Sequence, residues 1–109
     1  MDFNQYQIKA RETAIYPNVG DNLWYPGLGL AGESGEVAEK IKKIYRDFDG
    51  ITTPEKRKEI VKELGDVLWY VSNIASEIEV DLDTVARLNL EKLAKRTIEN
   101  KVHGEGDNR

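Results

Sequence analysis

Two matched pairs of acidic residues carry the chemistry that this chain suggests. Glu33 and Glu36 lie in LGLAGESGEVAEKIKKI, from Leu28 to Ile44; Glu63 and Asp66 lie in EIVKELGDVLWYVSNI, from Glu59 to Ile74. Each pair is spaced i, i+3, so on a helix its two carboxylates share a face. Glu33 is in phase with Val37, Ile41, Ile44 and Phe48, and Glu63 with Ile60, Val67, Tyr70 and Ile74. The acids therefore sit at the edge of, or inside, the stripes that should be buried. If the two helices pack together, as a short connection favours, four carboxylates converge. Two carboxylates about 4 Å apart repel by roughly 4 kcal/mol at an effective dielectric near 20. A cluster of this kind calls for protons or cations, and all-oxygen ligation is the preference of hard cations, Mg²⁺ or Mn²⁺ above all.

A solvated helix face is the competing explanation. Charged residues make up 33% of the chain, so E-x-x-E can arise by chance, and Glu36-Val-Ala-Glu39 repeats the spacing. Two features favour the metal site: the pairs are in phase with apolar residues, and both are embedded among glycines. Gly29, Gly32 and Gly35 recur at i, i+3, i+6, and Gly65 separates Glu63 from Asp66. A mid-helix glycine costs about 1 kcal/mol relative to alanine. Four of them point to close approach by another backbone or by a ligand.

The elements that must position these acids read as four helices. With 109 residues the chain makes one domain, expected over residues 1–103, followed by a Gly-rich tail at 104–109. The first helix is expected from Met1 to about Tyr16, capped by Asp2 or Asn4, with Pro17 and Gly20 in the turn that follows. The second, capped by Asp21 or Asn22 with Pro26 in its first turns, runs to about Phe48, and Asp49-Gly50 closes it. Thr53-Pro54 opens the third, whose Ile60, Leu64, Val67, Val71, Ile74 and Ile78 form a helical seam. Asp81 or Asp83 caps the fourth, which reaches about Asn100. No strand-like alternation stands out, so the fold class is all-α, a four-helix bundle.

Composition removes several chemistries. There is no cysteine, which excludes disulfides, thiolate metal sites and a cysteine nucleophile. The single histidine, His103, leaves no basis for a His-rich zinc site or a serine–histidine triad. A net charge of −4 gives no bulk drive toward nucleic acid. No apolar run is long enough to span a membrane and the N-terminus is not signal-like, so the expected compartment is the cytoplasm.

The fourth helix offers a polar stripe: Asn89, then Lys92 at i+3 and Arg96 at i+7. Asn89 shares a face with Val85, Ala86 and Leu93, where a buried amide would need partners. Taken alone it reads as a satisfied core asparagine flanked by solvated cations. Beside an acidic metal site, however, Lys and a bidentate Arg are what a polyphosphate needs on the side away from the metal. No Gly-rich Walker loop is present to do this work.

Glu33-Ser-Gly-Glu36, about 26 residues, then Glu63-Leu-Gly-Asp66 resembles the E-x-x-E…E-x-x-D signature of the MazG-like nucleotide pyrophosphohydrolases, of the all-α NTP pyrophosphatase superfamily. The similarity extends to the Leu28–Glu39 run, to Asn89-Leu-Glu-Lys92-Leu-Ala-Lys-Arg96 and to Gly106-Asp-Asn-Arg109. It covers most of the chain from Tyr16 onward. The resemblance implies Mg²⁺-dependent hydrolysis of a nucleoside triphosphate, a dNTP in particular, to the monophosphate and pyrophosphate. By carry-over, Glu33, Glu36, Glu63 and Asp66 would hold metal, Lys92 and Arg96 would meet phosphates, and Asn89 would line the same pocket. Glu36 or Glu33 is the expected general base. It also implies assembly as a homodimer or homotetramer, which apolar residues on more than one helical face support.

Trp24, Tyr25, Trp69 and Tyr70 are candidates for stacking on the base. Tyr70 ranks first because it follows Asp66 by one helical turn, and Trp24 is the candidate to close the pocket from a neighbouring element. Core or interface packing would serve equally well as their role. Arg109 would reach a phosphate if the tail folds over the site. The alternatives are a specialised dUTPase-like or phosphoribosyl-ATP enzyme, a ferritin-like di-iron protein, and a non-catalytic helical interaction module. The di-iron scheme needs E-x-x-H on two helices, which one histidine cannot provide.

Overall fold

The computed structural model describes residues 1–99. Among these residues the regular structure is four helices and no strand: α1 Phe3–Glu12, α2 Trp24–Asp47, α3 Pro54–Glu77 and α4 Leu82–Ile98. The all-α class expected from the sequence is the class observed. Asn100, where the fourth helix was expected to end, and the tail at 104–109 lie outside the described residues.

Local chemistry explains most of the boundaries. Asp2 closes a capping box on α1: its Oδ1 accepts the Gln5 N–H at 2.8 Å, and Gln5 Oε1 accepts the Asp2 N–H at 2.9 Å. α1 stops at Glu12, short of the expected Tyr16. The Thr13 N–H and hydroxyl both donate to Ala10 O, at 3.1 and 2.7 Å, which tightens the last turn. Tyr16 is then free to turn inward, and it is buried. Asn22, not Asp21, serves α2, accepting the Tyr25 N–H at 3.0 Å; Pro26 is buried in the first turn. At the far end Asp49 and Gly50 take φ of 52° and 77°, and the Gly50 N–H donates to Ile44 O at 3.1 Å. Thr53 caps α3 by accepting the Lys56 N–H at 3.2 Å.

The start of α4 departs from expectation. Asp81 occupies the cap position, but its side chain makes no capping bond. The cap comes from α1 instead. Gln7 Oε1 accepts the Leu82 N–H at 2.8 Å and Asn4 Oδ1 accepts the Asp83 N–H at 3.1 Å. Gln7 Nε2 also donates to Val80 O at 2.9 Å and to Ser76 Oγ at 3.2 Å.

α3 is the common partner. α2, α1 and α4 each pack on it, and α4 also packs on α1. The Cα trace of α2 nowhere comes within 8 Å of α1 or α4. The result is open: the radius of gyration is 16.6 Å, against about 13 Å for a compact domain of this length. The apolar centre is correspondingly small, with Ala10, Tyr16, Ile44, Ala75 and Leu82 buried. Of the seam expected on α3, Val67, Val71 and Ile74 are half-buried, whereas Leu64 and Ile78 are exposed. No helix among the described residues is long and apolar enough to cross a membrane.

Candidate metal centre and its aromatic wall

The α2–α3 hairpin brings three of the predicted acids together. Glu33 from α2 and Glu63 and Asp66 from α3 each present a carboxylate oxygen, and these oxygens lie within 4.8 Å of one another. Glu33 and Glu63 are half-buried and Asp66 is exposed, so the cluster opens to solvent on one side. The Glu33 carboxyl is pushed above its ordinary value by burial, then by the charges of Asp66, Glu63 and Glu36, and by a hydrogen bond with Glu63. Repulsion is therefore present within the cluster. A hard cation with ligands at about 2.0–2.1 Å holds cis oxygens about 3 Å apart and trans oxygens about 4 Å apart. Three carboxylates converging in this way are the all-oxygen donor set that hard divalent ions take, so the residues fit such an ion. Glu36, one turn further along α2, is exposed and lies outside the three-oxygen group, although its charge reaches Glu33.

An aromatic wall borders the acids. The Tyr70 ring lies where a side chain at position 29 would be: a Cβ on Gly29 would fall 2.1 Å from it. This is the close approach that the glycine spacing implied, and it occurs at Gly29 alone. Cβ atoms at Gly32, Gly35 and Gly65 would meet open space. Tyr70 packs edge-on to Trp69, with centroids 5.0 Å apart, and tilted to Tyr25 at 6.4 Å. Its hydroxyl is held above the ordinary tyrosine value by burial, then by Tyr25 and by the charges of Glu33 and Asp66. Tyr6 on α1 is raised likewise, by burial and then by Asp66. The N-terminal helix thus lies within electrostatic reach of Asp66, which nothing in its sequence pattern announced, because Tyr6 reads there as one more apolar-face residue.

The remaining predicted residues are placed differently. Trp24 is 81% exposed at the start of α2. It lines an open cavity of about 690 Å³ with Tyr25, Leu28, Asn22 and Ile78, and does not close over the acids. Asn89 is exposed, not buried as its face implied, because α4 has no neighbour on that side among the described residues. Lys92 is half-buried and Arg96 is 5% exposed. Both belong to α4, whereas the carboxylate cluster is built from α2 and α3 alone. Arg109 lies outside the described residues.

Two long helices that face three of their acids toward each other define an all-α fold with a carboxylate cluster on the α2–α3 hairpin. The model of the MazG nucleotide pyrophosphohydrolase domain matches residues 27–100, and the chain belongs to this family. α1, which supplies Tyr6 and the cap of α4, lies outside the matched segment. The chain is also similar to the Gene 37 protein of Mycobacterium phage L5, a name that specifies no chemistry. The two are 48% identical over 114 residues spanning all of both chains. No solved structure matches.

Proposed function

We propose that the protein hydrolyses nucleoside triphosphates, dNTPs foremost, to the monophosphate and pyrophosphate in a Mg²⁺-dependent reaction. The observation that carries this reading is the convergence of Glu33, Glu63 and Asp66 from two helices in a chain of this family. Glu33, Glu63 and Asp66 would hold the ion, which when bound supplies charge neutralisation and orientation of the polyphosphate. Glu36 is exposed beside this group, in reach of solvent, and is assigned as acceptor of the proton from the attacking water, with Glu33 as the alternative acceptor. Tyr70 and Tyr25 offer the face on which a base rests, and Lys92 and Arg96 are assigned to phosphates. The cytoplasm, where nucleotides are free, is the compartment that goes with this activity.

Assembly belongs to the same proposal. Leu23, Trp24 and Leu28 are exposed at the start of α2, and Leu88 and Leu90 are exposed on different faces of α4. So much uncovered apolar surface on a small, open chain favours a homodimer or homotetramer. Size-exclusion chromatography with light scattering is expected to return twice or four times the chain mass; a monomer at micromolar concentration would refute it.

The test of the reaction is pyrophosphate release from a panel of NTPs and dNTPs, with Mg²⁺ and with EDTA. Equimolar pyrophosphate and monophosphate, abolished by EDTA, is the expected outcome. Release of single phosphate, or no turnover of any triphosphate, would overturn it.

A further inference from the structure

A second polar cluster lies away from the acids, at the C-terminal end of α3. The Glu77 side chain is 2% exposed. It is three helical turns past Asp66, about 16 Å along the axis. Four donors converge on it. Arg11 Nη2 and the Gly20 N–H each lie 2.9 Å from Oε2, the Asn22 N–H lies 2.9 Å from Oε1, and the Tyr16 hydroxyl donates to Oε2. Burial opposes the charge. The Asn22 N–H, Tyr16, the Gly20 N–H and Arg11 together outweigh burial and hold the carboxyl at about 2.

These donors come from α1 and from the connection to α2, so Glu77 determines how that connection lies on α3. Two lines of contact then lead from it to the metal centre. In the first, Tyr16 stacks on Tyr25 with centroids 4.8 Å apart and planes 11° apart, and Tyr25 meets Tyr70. In the second, Arg11 Nη1 donates to Asn73 Oδ1 at 3.0 Å, and Asn73 Nδ2 donates to Trp69 O at 3.0 Å, beside Tyr70. The Trp69 ring is also edge-on to Tyr16 at 6.4 Å, and its Nε1 donates to Thr13 Oγ1 at 2.7 Å. Both lines end at the aromatic wall. A packing role alone would need no charge here. A carboxylate is the side chain that only accepts hydrogen bonds, and four donors demand one; a glutamine amide would turn an N–H₂ toward at least one of them.

We propose that Glu77 is a positioning residue for the nucleotide: it anchors the 16–22 connection so that Tyr16 braces Tyr25, and Tyr25 with Tyr70 presents a fixed surface to the base beside the acidic cluster. This rests on the pyrophosphohydrolase reading. Glu77 touches neither the metal site nor the reacting phosphates, so its removal acts on the place of the base and spares the ion.

The experiment compares Glu77→Gln and Tyr16→Phe with the wild-type chain at full length. The readouts are Mn²⁺ affinity by electron paramagnetic resonance, amide hydrogen exchange, and kcat and KM for the best dNTP of the panel. Glu77→Gln is expected to leave Mn²⁺ affinity within twofold, to speed exchange in residues 16–25 at least tenfold, and to raise KM at least tenfold with kcat within threefold. Tyr16→Phe keeps the ring and the carboxylate, and is expected to move KM in the same direction by a smaller factor. Should Glu77→Gln fail to fold, the Tyr16→Phe comparison decides. An unchanged KM, or kcat lost in proportion to the unfolded fraction with KM constant, would overturn the proposal while leaving the reaction class standing. A wild-type chain that turns over no triphosphate would overturn both.

Discussion

Glu33 and Glu77 are both shielded carboxylates, and their surroundings push them in opposite directions. Glu33 faces other acids and its pKa is raised above 4.5, so the folded chain holds its proton more tightly than the unfolded chain does. By linkage, ionising Glu33 as the pH rises above the ordinary carboxylate range removes stability from the metal-free protein. In EDTA the thermal midpoint of Glu33→Gln should therefore exceed that of wild type at pH 7, with the difference vanishing below pH 4. Added Mg²⁺ should raise the wild-type midpoint and leave the variant unmoved; scanning fluorimetry across pH tests both. Glu77 is the reverse case. Its carboxyl drops from 4.5 to about 2, so its contribution is complete above pH 4.5 and is lost as the pH falls toward 2. At about 1.36 kcal/mol per unit the effect is on the order of 3 kcal/mol. Acid unfolding followed by circular dichroism should show this limb in wild type and lack it in Glu77→Gln. Ser72 adds a simpler contrast: its buried hydroxyl has no hydrogen-bond partner among the described residues, a mismatch that an alanine would remove.

The helices show how far sequence patterning reaches. Thr53-Pro54, Asp49-Gly50 and Asp2 act as expected because a cap is local chemistry, settled within three or four residues. The convergence of Glu33, Glu63 and Asp66 was legible for a related reason: a short turn between two periodic helices leaves them one way to pack. The cap of α4 was not legible. Asp81 stands where a cap should be, but Gln7, 75 residues earlier in the chain, takes the Leu82 N–H, and no local pattern encodes a bond of that span. Tyr16 shows the same limit, since it reads as the end of a helix and is instead drawn inward by Glu77, 61 residues away. Gln7→Ala removes the bonds to Leu82, Val80 and Ser76 together. The expected loss is about 1–3 kcal/mol, read as a lower urea midpoint with helix content nearly unchanged before the transition. A variant as stable as wild type would show that α4 is held by packing alone.

At the scale of the molecule, the glycines separate what the chain does for itself from what it does with something else. Gly29 admits the Tyr70 ring, and Gly29→Ala should be destabilised by about 1–3 kcal/mol through overpacking. Gly32 faces open space, so Gly32→Ala should stabilise the isolated chain by about 1 kcal/mol. Mid-helix glycine that gains the chain nothing argues for an approach from outside, by a second copy or by substrate. Gly32→Ala is accordingly expected to lower self-association or turnover, measured by light scattering and pyrophosphate release; loss of neither would remove that explanation. The long-range bonds of α1 carry one more consequence, for the order in which the molecule is made. α1 is synthesised before the other three described helices, yet Arg11 and Gln7 find their partners 66 and 75 residues later, at Glu77 and Leu82. At about 5–20 residues per second the ribosome keeps α1 waiting for roughly 3–15 s. The α2–α3 hairpin can pair during that interval. α1 is therefore among the last of these helices to dock, and a ribosome that pauses between α2 and α4 would prolong the time during which Arg11 and Tyr16 stand without their partners.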